Sequence, residues 1–554
     1  MTGAQIIIRK LREKGIDKIF EFPGGSICPI LDELYKQKKI KVYCFRHEQA
    51  AIHAADAYAR LRREASVCMA TSGPGASNLV TGIANAYMDS VPIVIITGQV
   101  AVWDLKKTPV RQRGFQELDI ISVVKSITKA AFLVNHVSDL AKTLDKAFFI
   151  AQNQRPGPVL VDIPINLQYT STEIRKPTPV LKKKEPKASI LVVKEIAAKL
   201  KRSKRPLFIT GGGVILSGAS RELSSLVKKH NLPVSATLMG LTSVPSEYKF
   251  NLGLLGYAGT RTAHMAVKKA DFILGIGTRF DNRALPLAKK EFSGSAFIAH
   301  VDCDKNELNH RVRVNKAVLS DAGFFISGLA KELNKNKFCI NRKWLGQIAA
   351  WKNEYAQNNT DKLKPEFIIN KLSQMLRDKK AVITTDVGQH QLWTAQFFKF
   401  RRPNSFITSG GLGTMGFGLP AAIGAKLADP AACVINITSD GSFQMNIQEL
   451  ATIKDLGIAV KIILLNNKCL GLVRQIQEYA FCRRYASTCV NKKVNFLRIA
   501  SGYGIDCFSV DKEEDVIPAL KRIVSSNNSL LAEFMIGELE NVFPARIKGK
   551  VIYK

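Results

Sequence analysis

Asp440 and Asn467 stand 27 positions apart, each where an apolar run gives way to a polar turn. Their side chains offer hard oxygens, the donor type that Mg²⁺ prefers, and a backbone carbonyl near Cys469, two oxygens of a diphosphate and a water would complete its six ligands. Two ordinary strand–helix turns are the plain alternative. Glu48, in RHEQAAIHAADAYAR, is a second group with chemical potential. It follows a strand pattern and opens a helical one, where the helix dipole alone would favour a carboxylate.

The elements that must position these groups are legible in the spacing of apolar residues. CVINIT and AVKIILL are near-continuous apolar runs, as in parallel strands buried on both faces. They end in SDGS and NNKCLG, with a helical pattern from Asn446 to Leu456 between them. Neighbouring parallel strands bring such turns together at the carboxyl edge of the sheet, where open α/β folds bind ligands. Upstream, a strand over Ile16–Phe20 runs into FPGGS, where Pro23, Gly24 and Gly25 form a loop that a ligand can approach closely. A further strand over Val42–Phe45 precedes Glu48. Short strands alternate with amphipathic helices along the whole chain, the signature of parallel α/β sheets. Two charged, proline-bearing stretches, Tyr169–Ser189 and Asn334–Pro365, divide it; the second holds a helical pattern around Trp344–Tyr355. The expected domains are 1–170, 188–335 and 362–545, the first and third sharing one architecture.

The chain of 554 residues, 46% hydrophobic with mean hydropathy near zero, has room for about three domains with proper cores. No apolar run approaches the ~18 residues of a membrane helix. The start, MTG followed by a pattern rich in Lys and Arg, has no signal-peptide h-region, so a cytoplasmic protein is expected. Ten cysteines without a CxxC pair and eight histidines without HExxH spacing argue against zinc and against a disulfide framework, so reduced thiols are expected. The net charge of +35 is spread along the chain without an aromatic-interleaved basic ribbon. A solvated lysine-rich surface is the expectation; a basic, non-catalytic nucleic-acid-binding protein is the alternative from another class.

Taken together, SDGS followed by NN, FPGGS, RHEQAA and ATSGPGASNLVTGIANAYMDSVPIVIITGQV (Ala70–Val100) resemble thiamine-diphosphate (ThDP) enzymes, and more narrowly the catalytic subunits of acetohydroxyacid (acetolactate) synthases. Ser439 stands where that family's metal motif begins with glycine. The resemblance implies an α/β fold of three doubly wound parallel-sheet domains: pyrimidine-binding, flavin-binding-like and diphosphate-binding. It implies ThDP, Mg²⁺ and FAD as cofactors. Glu48 would bond N1′ of the aminopyrimidine and favour the imino tautomer that deprotonates the thiazolium carbon. Phe115 and Gln116 would lie near the reacting carbon. Gly24, Gly25 and Pro74 would line the pyrimidine end, and Gln389, His390, Gly441 and Ser442 the diphosphate. Gly413 and Met415 would back the aminopyrimidine, and Leu472 would prop the bent cofactor. Asp440, Asn467 and the carbonyl of Cys469 would hold the metal. In the middle segment, PLFITGGG, GLLGYAG, ILGIGTRFDNR, AHVDCD and SDAG resemble an FAD-binding domain, with Gly211, Gly212, Arg279, Asp302 and Asp321, together with Arg155, as its contacts. That flavin would be structural, since the overall reaction moves no net electrons.

The implied activity is decarboxylation of a 2-oxo acid, pyruvate first, and carboligation to a second 2-oxo acid. A homodimer or homotetramer with active sites between subunits is implied, and a small regulatory subunit is compatible. The sequence departs from the family at the connection 101–114, at Ile165 (a lysine in the synthases) and at Ile476 (a tryptophan there), which leaves the acceptor open. A related ThDP carboligase or a 2-oxo acid decarboxylase is therefore the alternative within the fold. Glyoxylate carboligase is disfavoured by the presence of Glu48.

Overall fold

Near-continuous apolar runs become strands buried from end to end, as in Ile93–Gln99 and Val460–Asn466. They assemble into three six-stranded sheets, all parallel. The computed structural model describes residues 1–106, 108–173, 185–285, 292, 294–335, 338–355, 361–547 and 550–552. Most of the expected linker Tyr169–Ser189 (174–184) lies outside the described residues, as do 336–337 and 356–360 of the second divide and residue 107 of the 101–114 connection.

The first and third sheets share one strand order: second, first, third, fourth, sixth, fifth in chain order. The common architecture expected for these segments is thus observed. The middle sheet runs third, second, first, fourth, fifth, sixth, the order of dinucleotide-binding sheets. Strand Lys18–Phe22 begins two residues later than the expected Ile16, and Lys41–Cys44 is shifted one residue towards the N-terminus. The helix expected over Asn446–Leu456 is observed from Glu449 to Leu456, starting three residues late; before it lie a short turn of helix (Asp440–Phe443) and a 3₁₀ turn (Gln444–Asn446).

The middle domain keeps its own core around Phe208, Ile273 and Phe325, and helix Arg342–Glu354 adds Trp344, Ile348 and Trp351 to it. By contrast, the first and third domains share a core in which Phe20, Ile52 and Ile83 cluster with Phe417, Ile423 and Phe443. Its centre is the crossing of two helices rich in small residues, Glu48–Arg62 and Gly418–Ala428. Gly424 passes so close to its neighbour that a Cβ there would lie 2.0 Å from the Ala54 carbonyl oxygen. No side chain can occupy that gap, so the backbones must part to admit one. Gly424→Ala is therefore expected to lower stability by about 1–3 kcal/mol, read as a fall in the urea midpoint; an unchanged midpoint would show that the crossing can yield.

Candidate active site

The metal end is built by strand register. Cys433–Ser439 lies parallel to Val460–Asn466 with Ser439 opposite Leu465, so the turns carrying Asp440 and Asn467 emerge side by side. Both residues are buried. Asn491 Nδ2 donates to Asp440 Oδ2 at 3.1 Å, whereas Oδ1 is buried with no partner. Burial pushes this carboxyl up to about 6. An orphaned, buried carboxylate oxygen on a turn next to the one that carries the Asn467 amide is the oxygen donor type a hard cation takes, so these residues fit Mg²⁺. Among the described residues no group of three or more His, Cys, Asp or Glu is placed to hold a metal, which is not the donor set of a zinc site.

Helix Gln389–Phe397 presents its first two residues to the same place. Gln389 Oε1 accepts from Asn467 Nδ2 at 3.1 Å, and its Nε2 donates to the Glu540 carbonyl at 2.7 Å. His390 Nε2 is 2.5 Å from Asp386 Oδ1, while its Nδ1 is buried and unpartnered. Gly441 lies under Leu470, whose Cδ2 would be 2.5 Å from a Cβ there, with Met415 Cε 3.5 Å away. Ser442 Oγ donates to the Val387 carbonyl, and Leu472 is half-buried on helix Gly471–Ala480.

The expectation of reduced thiols is corrected here: Cys469 is bonded to Cys489, 20 positions away, with Cα atoms 4.1 Å apart. The chain after helix Gly471–Ala480 folds back over the metal end, where Leu470 N–H donates to the Thr488 carbonyl and Asn491 reaches Asp440. Spacing in the sequence carries no trace of that return.

At the pyrimidine end, Glu48 is the first residue of its helix, capped by His47, and is 6% exposed. Asn78 Nδ2 donates to its Oε2 at 3.0 Å. Gly75 must lack a side chain, since a Cβ would lie 2.7 Å from Thr71 Cγ2 and 3.2 Å from Glu48 Oε1. Gly24 packs on Thr71 in the same way, and Gly73, at φ +57°, meets the Gln116 carbonyl. Glu48, Gly24, Pro74 with its flanking glycines, and Gln116 are thus brought together. Gly25 faces open space, and Phe115 is 86% exposed beside them. No hydrogen bond joins Glu48 to Asp440, Asn467, Gln389 or His390 among the described residues.

Sequence reasoning missed the network that holds the Gly413–Met415 loop. Asp89 accepts from the amides of Gly410 (2.9 Å) and Gly411 (2.7 Å). Arg60 binds Asp89, Asp56 and the Thr408 carbonyl. Ser409 Oγ donates to Asn85 and accepts from the amides of Gly413 and Thr414. Asn78, Asp386 and Asn491 were missed too; single polar residues carry no periodic signal, and no sequence feature pointed to them.

In the middle domain, Arg155, Gly212, Arg279, Asp302 and Asp321 line one cavity of about 590 Å³. Gly211 sits at its edge, packed on the Gly277 carbonyl. The cavity opens beyond strands Pro206–Thr210 and Phe272–Ile276, which are neighbours where the strand order reverses. Asp304 and Glu307 hold the Arg155 guanidinium, Asp321 Oδ1 caps helix Ala322–Asn334, and burial pushes Asp302 up to about 6. Size, glycine turns and strand order fit a dinucleotide such as FAD.

Three family models match the chain: the N-terminal TPP binding domain of thiamine pyrophosphate enzymes at residues 1–123, their central domain at 193–329, and their C-terminal TPP binding domain at 386–534. The chain is 40% identical to the acetolactate synthase large subunit of Cyanidium caldarium, over 99% of its length and 95% of the relative's. It is 38% identical to the acetolactate synthase isozyme 2 large subunit of Escherichia coli (98% and 97% covered) and 37% identical to the acetolactate synthase large subunit of Lactococcus lactis (98% and 94% covered).

The disulfide has a direct readout. Alkylation of the denatured protein without reductant is expected to modify eight cysteines, and all ten after reduction. Ten modified thiols in the unreduced protein would contradict the Cys469–Cys489 pair.

Proposed function

The chain belongs to the acetolactate synthase large-subunit family of thiamine pyrophosphate enzymes, and from that premise we propose that it joins two 2-oxo acids, pyruvate first, into acetolactate-type products of branched-chain amino acid synthesis. The observation that carries this reading is the pair of complementary half-sites: a shielded carboxyl, Glu48, in one domain, and an orphaned buried carboxylate oxygen, on Asp440, in another whose sheet has the same strand order.

When bound, ThDP supplies the carbon nucleophile and the electron sink for loss of CO₂ from the first 2-oxo acid. The residues around it have separable tasks. Asp440, Asn467 and the Cys469 carbonyl would hold Mg²⁺, which would supply charge neutralisation for the diphosphate, and Gln389, His390, Gly441 and Ser442 would border the phosphate oxygens. Glu48 keeps a proton at the pyrimidine nitrogen, with Asn78 fixing its other oxygen. Gly24, Gly25, Pro74 and Gly413 let backbone approach the coenzyme, while Met415 and Leu472 shape its apolar bed. Phe115 and Gln116 close the substrate side.

Two subunits complete each site in this reading. Large apolar side chains stay exposed on the elements that carry site residues: Phe115, Leu412, Met445, Val473 and Ile476. Such surface is suited to a partner copy, and a homotetramer or a small regulatory subunit is compatible with it. FAD occupies the middle cavity, and the protein works in the cytoplasm; among the described residues no helix is long and apolar enough to cross a membrane. The alternative of a related carboligase with a different acceptor rests on Ile476, a branched aliphatic side chain, 43% exposed, where the family places an indole.

Incubation with pyruvate, ThDP and Mg²⁺ is expected to yield acetolactate; acetaldehyde as the only product would establish a decarboxylase instead. Glu48→Gln should cut turnover by about 10²–10⁴-fold with the fold retained. Co-expressed Glu48→Gln and Asp440→Ala chains should regain about a quarter of wild-type activity, because half of randomly paired dimers then hold one intact site of two. No recovery in purified mixed dimers would place both groups on one chain. Native mass spectrometry with and without added FAD reads the flavin directly.

A further inference from the structure

A fully buried carboxyl in the third domain grips the turn that presents Glu48. Glu449 opens helix Glu449–Leu456, nine residues after Asp440. Its two oxygens accept from the Arg46 amide at 3.1 and 3.3 Å, and the Thr452 hydroxyl donates to it at 2.6 Å. From the same helix, Asp455 takes the Arg46 guanidinium. All of these contacts except that of Thr452 land on Arg46, two residues before Glu48.

The turn is held from its own domain as well. The Phe45 amide donates to the Glu21 carbonyl at 2.9 Å, and His47 Nδ1 accepts from the Gln49 amide as the helix cap. Strand end, clamp and cap therefore leave the backbone before Glu48 little freedom. Burying a carboxyl is costly and needs several donors in compensation; burial pushes Glu449 up to about 7 even so. Neither sheet depends on the clamp for a strand, since Arg46 lies between elements. The segment bearing it is anchored at the coenzyme loop too: Asn446 Nδ2 donates to the Gly416 carbonyl at 2.8 Å, one residue past Met415. One stretch of ten residues thus begins at Asp440, touches the Met415 loop and ends on the turn before Glu48.

We propose that Glu449 is a positioning residue for Glu48, holding Arg46 so that the Glu48 carboxyl keeps its place against the pyrimidine of the coenzyme. This rests on the role of Glu48 given above. Glu449 touches none of Asp440, Asn467, Gln389 or His390 by hydrogen bond among the described residues, so its loss should spare the anchoring of the diphosphate.

The test uses the full-length protein loaded with ThDP and Mg²⁺, and reads hydrogen–deuterium exchange at the thiazolium C2 by acid quench and NMR, alongside ThDP affinity by calorimetry. Glu449→Ala is expected to slow exchange by about 10- to 100-fold, the usual consequence of a misplaced catalytic group, with ThDP affinity within about threefold of wild type. Glu449→Gln, which keeps an acceptor oxygen of the same reach, should recover part of the rate, and it carries the test if the alanine variant does not fold. Wild-type exchange in a folded variant would overturn the proposal. A fall in affinity matching the fall in exchange would also overturn it, by marking Glu449 as general packing. In the same assay, wild-type exchange by Glu48→Gln would remove the role of Glu48 itself, and this inference with it.

Discussion

The site depends on one packing constraint, the near-contact of two helix backbones where Gly424 meets Ala54. Helix Glu48–Arg62 begins at the proposed catalytic carboxyl, and helix Gly418–Ala428 begins just after the loop that carries Met415. Their crossing therefore fixes the spacing between two coenzyme-facing elements of one chain. Alanine and glycine dominate both helices because larger side chains would hold the axes apart. The price of that choice is a weak amphipathic signal, since both helices are buried on nearly every face.

Around this crossing, polar groups do what packing cannot. The loop 409–416 contains four glycines, two at positive φ (Gly413 and Gly416), and such backbone has no intrinsic preference for one shape. Its amides are instead met by fixed acceptors: Asp89 takes those of Gly410 and Gly411, and Ser409 those of Gly413 and Thr414. Arg60 holds Asp89 in turn while lying over the Phe417 ring. Buried ion pairs of this type give modest stability because desolvation offsets attraction. What they provide is a single geometry, because a charge left unpaired in this interior would be strongly disfavoured.

The outline of the molecule was legible because parallel strands and their turns repeat a pattern that a sequence displays. Asp440 and Asn467 could be placed together since each ends a continuous apolar run, and Glu48 could be placed at a helix start since RHEQAA follows a strand. Contacts made by single residues across long separations could not be found in that way. Asp89 reaches Gly411 over 322 positions and Glu449 reaches Arg46 over 403, with nothing periodic at either end. The Cys469–Cys489 bond was hidden for a related reason. It depends on an irregular segment returning over the metal end, and irregular backbone follows from contacts rather than from periodicity. The helix expected from Asn446 starts at Glu449 because Gln444–Asn446 is a 3₁₀ turn, and a helix boundary of a few residues is not fixed by apolar spacing.

The cavity of the middle domain shows how the proposed flavin could serve a reaction that moves no net electrons. The cavity is walled not only by the middle sheet but also by Met88, Asp89 and Ser90 of the first domain and by Met239, which packs against Gly410. Asp89 thus has the cavity on one side and the amides of the coenzyme loop on the other. A dinucleotide filling that space would immobilise the side chain on which the loop hangs, and would do so by volume and hydrogen bonding alone. Redox chemistry would add nothing to such a brace. In the proposed reading, a ligand in this cavity would act through the Asp89 contacts to Gly410 and Gly411 rather than through redox chemistry.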